Sequence, residues 1–189
     1  MPDASQIPQS VEDQQHLTSI HVDEWINNDV FRLRWWILLG LLVASLIIWW
    51  LLLDKSRLKE TCLYTALGYI FALAINEYGE ELILWDYPTD IIAIFPPLSS
   101  INLLMLPLVY SLTYQYFTEK RRFVWAVLIV TAVMCFVLEP LFSWGNLYQL
   151  INWKYYFSYP LFILMALLVR ALTVKIFIIT GRSKNAAGR

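Results

Sequence analysis

Five carboxylates crowd one short stretch of the chain. Glu77, Glu80, Glu81, Asp86 and Asp90 fall between Ala74 and Pro97, and no Lys or Arg accompanies them. On a helix, Glu80 and Glu81 share the face of Glu77, and Leu84 ends the row. Carboxylates grouped this way can bind a cation or pass protons, with Asp86 and Asp90 as further partners. The competing reading is a helix end emerging into headgroups and water. An acid costs about 2.5–3.5 kcal/mol at a bilayer centre on insertion scales and less near the interface. Glu77 is the deepest acid along the chain, with Asn76 beside it, and so asks most for a role.

Two other ionisable groups stand inside apolar runs. Glu139 closes one run just before Pro140, and Arg170 interrupts another. They read either as a buried ion pair or substrate anchor, or as two helix ends fixed at opposite interfaces. Arg170 follows Tyr155 by roughly 22 Å of helix. That places it at the far interface, where it can snorkel, and a direct pair with Glu139 would need one of them displaced. Asn76 and Asn102 have similar depths on consecutive runs, which suits a hydrogen bond between helices. Gly68, Ala72, Asn76 and Gly79 form a small-residue stripe that lets helices approach closely. Pro107, Tyr110 and Tyr114 share a face, as a core stripe or a tyrosine-lined pocket.

Catalytic sets are not visible. The only histidines, His16 and His21, lie near the N-terminus at a poor spacing for one helical face, so no zinc or di-metal ligand set forms inside the apolar runs. A paired glutamate at a helix end resembles that of certain intramembrane proteases. Here "EELILWD" lacks their following arginine, and no histidine lies in an apolar run. No Ser-His or Cys-His pair can be assembled, and no Gly-rich phosphate-binding pattern occurs. Cys62 and Cys135 both fall in apolar runs and read as small hydrophobes. No cofactor, metal or nucleic acid is expected.

The elements that must hold these groups are apolar helices. The chain is 59% hydrophobic with a mean hydropathy of +0.55, above the 45–50% apolar share usual for soluble domains. Trp35–Leu53 is apolar but for Gly40 and Ser45, which is roughly 28 Å of helix and matches a bilayer core. The same reading gives an all-α, polytopic transmembrane bundle over residues 30–181. Its spans cover residues 35–53, 61–84, 101–117, 123–139 and 155–176. A polar, acidic, unstructured tail (residues 1–29) precedes it, and a short helix at the membrane surface around Trp25 is expected at its end. A basic tail (182–189) follows. The fourth span should stop at Glu139–Pro140, and Ile91–Phe95 should lie against the membrane as a short helix or loop.

Charge sets the orientation. One set of loops carries Lys55, Arg57, Lys59, Lys120, Arg121 and Arg122, and the C-terminal segment adds Lys175, Arg182, Lys184 and Arg189. The opposite set carries only Arg32, Arg34 and Lys154. The rule that cytoplasmic loops are basic places the C-terminus inside and the N-terminus and acidic stretch outside. Trp35, Trp36, Trp49, Trp50, Trp85, Trp144 and Trp153 fall at span ends, as interfacial indoles do.

Leu82–Arg122, with its acid followed by "YP", a Phe-Pro, a Pro-containing helix and a basic loop, resembles an uncharacterised family of small multi-pass membrane proteins of endospore-forming Gram-positive bacteria. The later "LEPLF" and "NLYQLINWKYYFSYPLFILMALLVR" fit the same pattern. The resemblance runs over roughly Arg34–Ile179 and implies that Tyr87, Pro88, Phe95, Pro96, Pro107, Glu139, Trp153 and Arg170 belong to it. That family has no activity to lend. The expected function is that of a non-enzymatic envelope protein or partner subunit in the plasma membrane, in contact with lipid and with another membrane protein or its own copies. The alternatives are a small ion, proton or solute transporter using the acids around Glu77, and an interfacial lipid-processing enzyme.

Overall fold

The computed structural model describes residues 8–92 and 101–187. It is 81% helical, so helices do most of the positioning of any site. The elements are α1 (Gln9–Glu24), α2 (Leu33–Leu52), α3 (Leu58–Glu81), β1 (Trp85–Asp86), α4 (Ile101–Tyr116), α5 (Lys120–Val133), α6 (Glu139–Trp144), β2 (Gln149–Leu150) and α7 (Tyr155–Ala187). Wide π-turns lie at Trp25–Asp29, between α1 and α2, and at Met134–Leu138, joining α5 to α6.

Four helical stretches are long and apolar enough to cross a membrane: Leu33–Leu52, Lys55–Glu81, Lys120–Trp144 and Tyr155–Thr180. At 16 residues, α4 is shorter, about 24 Å. It is wrapped by α2, α3 and α5, and Leu106, Pro107, Leu108, Tyr110, Ser111 and Tyr114 are all buried. The small-residue stripe explains the tightest of these contacts. A Cβ on Gly68 would lie 3.3 Å from the Cβ of Pro107, so the glycine makes room for the proline ring where α4 loses a backbone hydrogen bond.

Two cores result. The main one joins α3, α4, α5 and α7 around Tyr64, Leu106, Tyr110, Phe123, Val127 and Val169. The second, at the end away from the basic loops, gathers Leu38, Trp85, Tyr87, Ile91, Phe142 and Tyr148. Helix α3 ends in a Schellman turn: Leu84 N–H reaches Gly79 O (2.8 Å) and Ile83 N–H reaches Glu80 O (2.9 Å). Helix α6 ends alike, through Leu147 N–H to Phe142 O (2.9 Å) and Asn146 N–H to Ser143 O (3.1 Å). Both chain segments then meet as an antiparallel clasp, Trp85 opposite Leu150 and Asp86 opposite Gln149.

The structure departs from the sequence-based expectations in three places. Gln9–Glu24 is a helix, not an unstructured tail. It is anchored through Trp25 Nε1, which donates to Asp90 O (2.9 Å), and His21 Nε2, 3.6 Å from Asp90 Oδ2. The helix of the expected fourth span continues past Pro140 to Trp144, because the π-turn restarts the helix and puts Pro140 in a first turn, where its missing N–H costs nothing. Helix α7 runs to Ala187, beyond the expected end at residue 176. Ile94 and Phe95, in the expected surface segment, lie outside the described residues, as does the side chain of Asn102.

Candidate functional site

The acids of the Ala74–Pro97 stretch come together at the clasp end. Glu77, Glu80, Glu81 and Asp86 line one half-open groove of about 530 Å³, with Glu24 contributed by α1 and Trp85 in its wall. Leu17, Ile20, Ile83 and Ile151 supply apolar walls, and no Lys or Arg among the described residues lines it. The Schellman turn places Glu80 and Glu81 on the last turn of α3. The reversal after Leu84 then folds Trp85 back over Gly79 and brings Asp86 to the same mouth.

Glu80, rather than Glu77, is the sheltered acid. Depth along a helix does not fix the direction a side chain faces. Residues 68, 72, 76 and 79 face the bundle; Glu80 flanks that stripe, whereas Glu77 faces outward and is exposed. Glu80 Oε1 and Trp85 Nε1 are buried atoms without a hydrogen-bond partner, and Trp85 is only 5% exposed. The groove thus offers an unpaired acceptor, an unpaired donor, several carboxylates and an apolar floor. Among the described residues no three of His, Cys, Asp and Glu are placed to hold a metal ion.

Asn76 makes its contacts inside one end of the bundle. Its side-chain N–H donates to Ala72 O (2.8 Å), and its oxygen accepts from Tyr87 O–H. Tyr87 packs on Tyr148 at 5.3 Å between ring centres. Burial pushes the Tyr148 phenol above its ordinary range, and the neighbouring Tyr87 adds to the shift.

Glu139 and Arg170 do not meet. Arg170 is tied to the basic end: Nη2 donates to Thr118 O (2.5 Å), and the guanidinium lies over Phe123 (4.4 Å) and Tyr114 (5.9 Å). Beside it, Arg57 holds Glu60 at 2.9 Å, and Tyr114 donates to the other Glu60 oxygen. Glu139 is 2% exposed, not an interfacial anchor. The extra residue of the π-turn rotates the remainder of the helix by about 100° and carries this acid inward. Ser158 stands beside the carboxyl, yet neither Glu139 oxygen has a hydrogen bond of acceptable geometry.

Spacing in the sequence did not single out Glu60, Tyr64, Thr131 or Ser158. The one available signal was Glu60 four residues before Tyr64 on an apolar helix, matching the Tyr110–Tyr114 interval on α4. No family model matches the chain, and no curated protein or solved structure is similar to it. The chemistry of the site rests on its own residues.

Proposed function

We propose that the chain is a non-enzymatic integral protein of the plasma membrane that binds a basic, amphipathic segment of a partner at its outer face. It has five spans, α2, α3, α4, the continuous α5–α6 and α7, with the N-terminus outside and the C-terminus in the cytoplasm. Four of these helices have the length and composition for the task, and the fifth, α4, is shielded from lipid by its neighbours. The basic turns Lys55–Lys59 and Lys120–Arg122 share one end with Arg170, which supports a cytoplasmic placement of that end.

The observation that carries the reading is the groove: five carboxylates, apolar walls and no lining Lys or Arg among the described residues. Its shape suits a cationic helix or strand whose apolar side meets Ile83, Trp85 and Ile151. Its charge would steer that partner in and exclude acidic ones. The test is binding of a fluorescent Lys/Leu amphipathic peptide to the protein in zwitterionic nanodiscs. The expected result is saturable binding that weakens with salt and falls at least tenfold in the Glu80→Gln, Glu81→Gln, Asp86→Asn triple variant. Equal binding by the variant, or by nanodiscs without protein, contradicts the reading.

A further inference from the structure

The basic end carries a surface of another kind. Helix α2 leaves most of its outer side uncovered: only 6% of its span is buried against the rest of the protein. Along that side Leu46, Ile47, Trp49, Trp50 and Leu51 line a shallow groove of about 370 Å³ with almost no polar surface. Its two indoles point opposite ways. Trp49 turns inward and donates to Ser111 Oγ on α4 (2.7 Å), which fixes the rotation of α2 on the bundle. Trp50 turns outward, is 54% exposed, and its ring lies under Lys55 Nζ at 5.7 Å.

The turn that holds Lys55 is pinned from α4. Gln115 Nε2 donates to Leu52 O (2.9 Å) and Tyr116 O–H to the same oxygen (3.2 Å), while Gln115 Oε1 accepts from Asp54 N–H (2.8 Å). Leu52 is the last residue of α2, so these donors cover a carbonyl that would repel an anion at this helix end. Asp54 is engaged by Ser56, whose N–H (2.9 Å) and O–H (2.7 Å) both reach one carboxylate oxygen. None of the ion pairs among the described residues takes Lys55. Its ammonium therefore rests on an aromatic face, open to an anion, beside an apolar groove. Lys59, Lys120 and Arg121 stand exposed at the same end, outside those ion pairs, and add to the attraction.

An uncovered apolar face beside a lone cation fits a molecule that has both an anionic and an apolar part. A soluble anion would leave the groove empty. A zwitterionic lipid would bring its own cation to Lys55. A second copy in the same membrane would bring its own Lys55 to the same depth, like charge facing like. We propose that this surface binds an anionic phospholipid, with the phosphate on Lys55 and one acyl chain along Leu46, Ile47 and Trp50. The inference rests on the membrane placement given above and is independent of the acidic groove.

The test is native mass spectrometry of the delipidated full-length chain, titrated with phosphatidylglycerol and with phosphatidylcholine of the same acyl chains. Phosphatidylglycerol should bind roughly tenfold tighter. Lys55→Gln should remove about fivefold of that preference, the contribution of one lysine beside an anionic headgroup, and Trp50→Leu should remove several-fold; both change exposed side chains. Lys120→Gln, which removes an equal charge from α5 at the same end, should change it by about twofold or less. Glycerol 3-phosphate, which lacks the chains, should not displace the lipid. Equal binding of the two lipids, equal losses in Lys55→Gln and Lys120→Gln, or displacement by glycerol 3-phosphate would each overturn the site. Retention of the chain by carbonate-washed membranes reports the placement separately, so a retained chain without lipid preference removes this site and leaves the placement standing.

Discussion

The indole of Trp85 occupies the space that a side chain on Gly79 would need. Its Cζ2, Cε2 and Cη2 atoms all lie well inside van der Waals distance of the position of a Gly79 Cβ. Contacts this short cannot be relieved by rotating a flexible tip, because a rigid ring closes the space. Gly79→Ala must therefore push Trp85 off α3 and open the groove wall. Overpacking of this kind costs about 1–3 kcal/mol. Thermal unfolding in detergent should show the loss, and peptide binding should weaken with it, whereas Gly40→Ala, inside α2 and meeting nothing within 4 Å, should hold or raise stability and leave binding unchanged.

Ile83 makes the opposite prediction. It ends α3 with φ at 53°, the left-handed conformation that costs a side chain about 1–2 kcal/mol and that a β-branched residue rarely adopts. Its side chain is mostly exposed, so little packing is lost on removal. Ile83→Gly should raise stability by roughly 0.5–1 kcal/mol, the relief of strain being partly offset by glycine's greater chain entropy. Ile83→Val should not. Unfolding midpoints of the two variants decide the point.

The same position shows where sequence reasoning stops. The long apolar runs were legible because a bilayer-length helix needs an uninterrupted stretch of such residues, and Trp35–Leu53 supplies one. The stripe of Gly68, Ala72 and Asn76 was legible as a packing face, because residues three and four apart share a side. The clasp was not. A Schellman end is usually signalled by glycine, and here Ile83 and Asn146 take the left-handed position. Nor could spacing locate Glu139, since a π-turn adds one residue to the helical period and shifts the facing of every later residue in the helix. Helix α1 was missed for another reason: its sequence is mostly polar, with Val11, Leu17, Ile20 and Val22 its apolar residues, and its anchoring contacts, from His21 and Trp25, are made with Asp90 in a distant segment.

Arg170 should resist the usual conservative exchange. Its guanidinium lies over Phe123 while reaching Thr118 O, a geometry that a planar fork satisfies and a point-like ammonium does not. Arg170→Gln should destabilise the bundle by roughly 1–2 kcal/mol through loss of the stacking and the hydrogen bond, and Arg170→Lys should recover less than half of that. Double-variant cycles with Phe123→Leu should show coupling between the two positions, and additivity would remove the stacking from the explanation.

The central claim is that the acidic groove and the basic turns lie on opposite sides of a membrane, with the groove outside. Single cysteines at Glu81 and at Arg121, placed in a Cys62→Ser, Cys135→Ser background, test it in intact cells with a membrane-impermeant maleimide. The expected result is labelling of Glu81→Cys from outside and of Arg121→Cys only after the cells are opened. Labelling of Arg121→Cys in intact cells with Glu81→Cys protected, or labelling of both from outside, would contradict it.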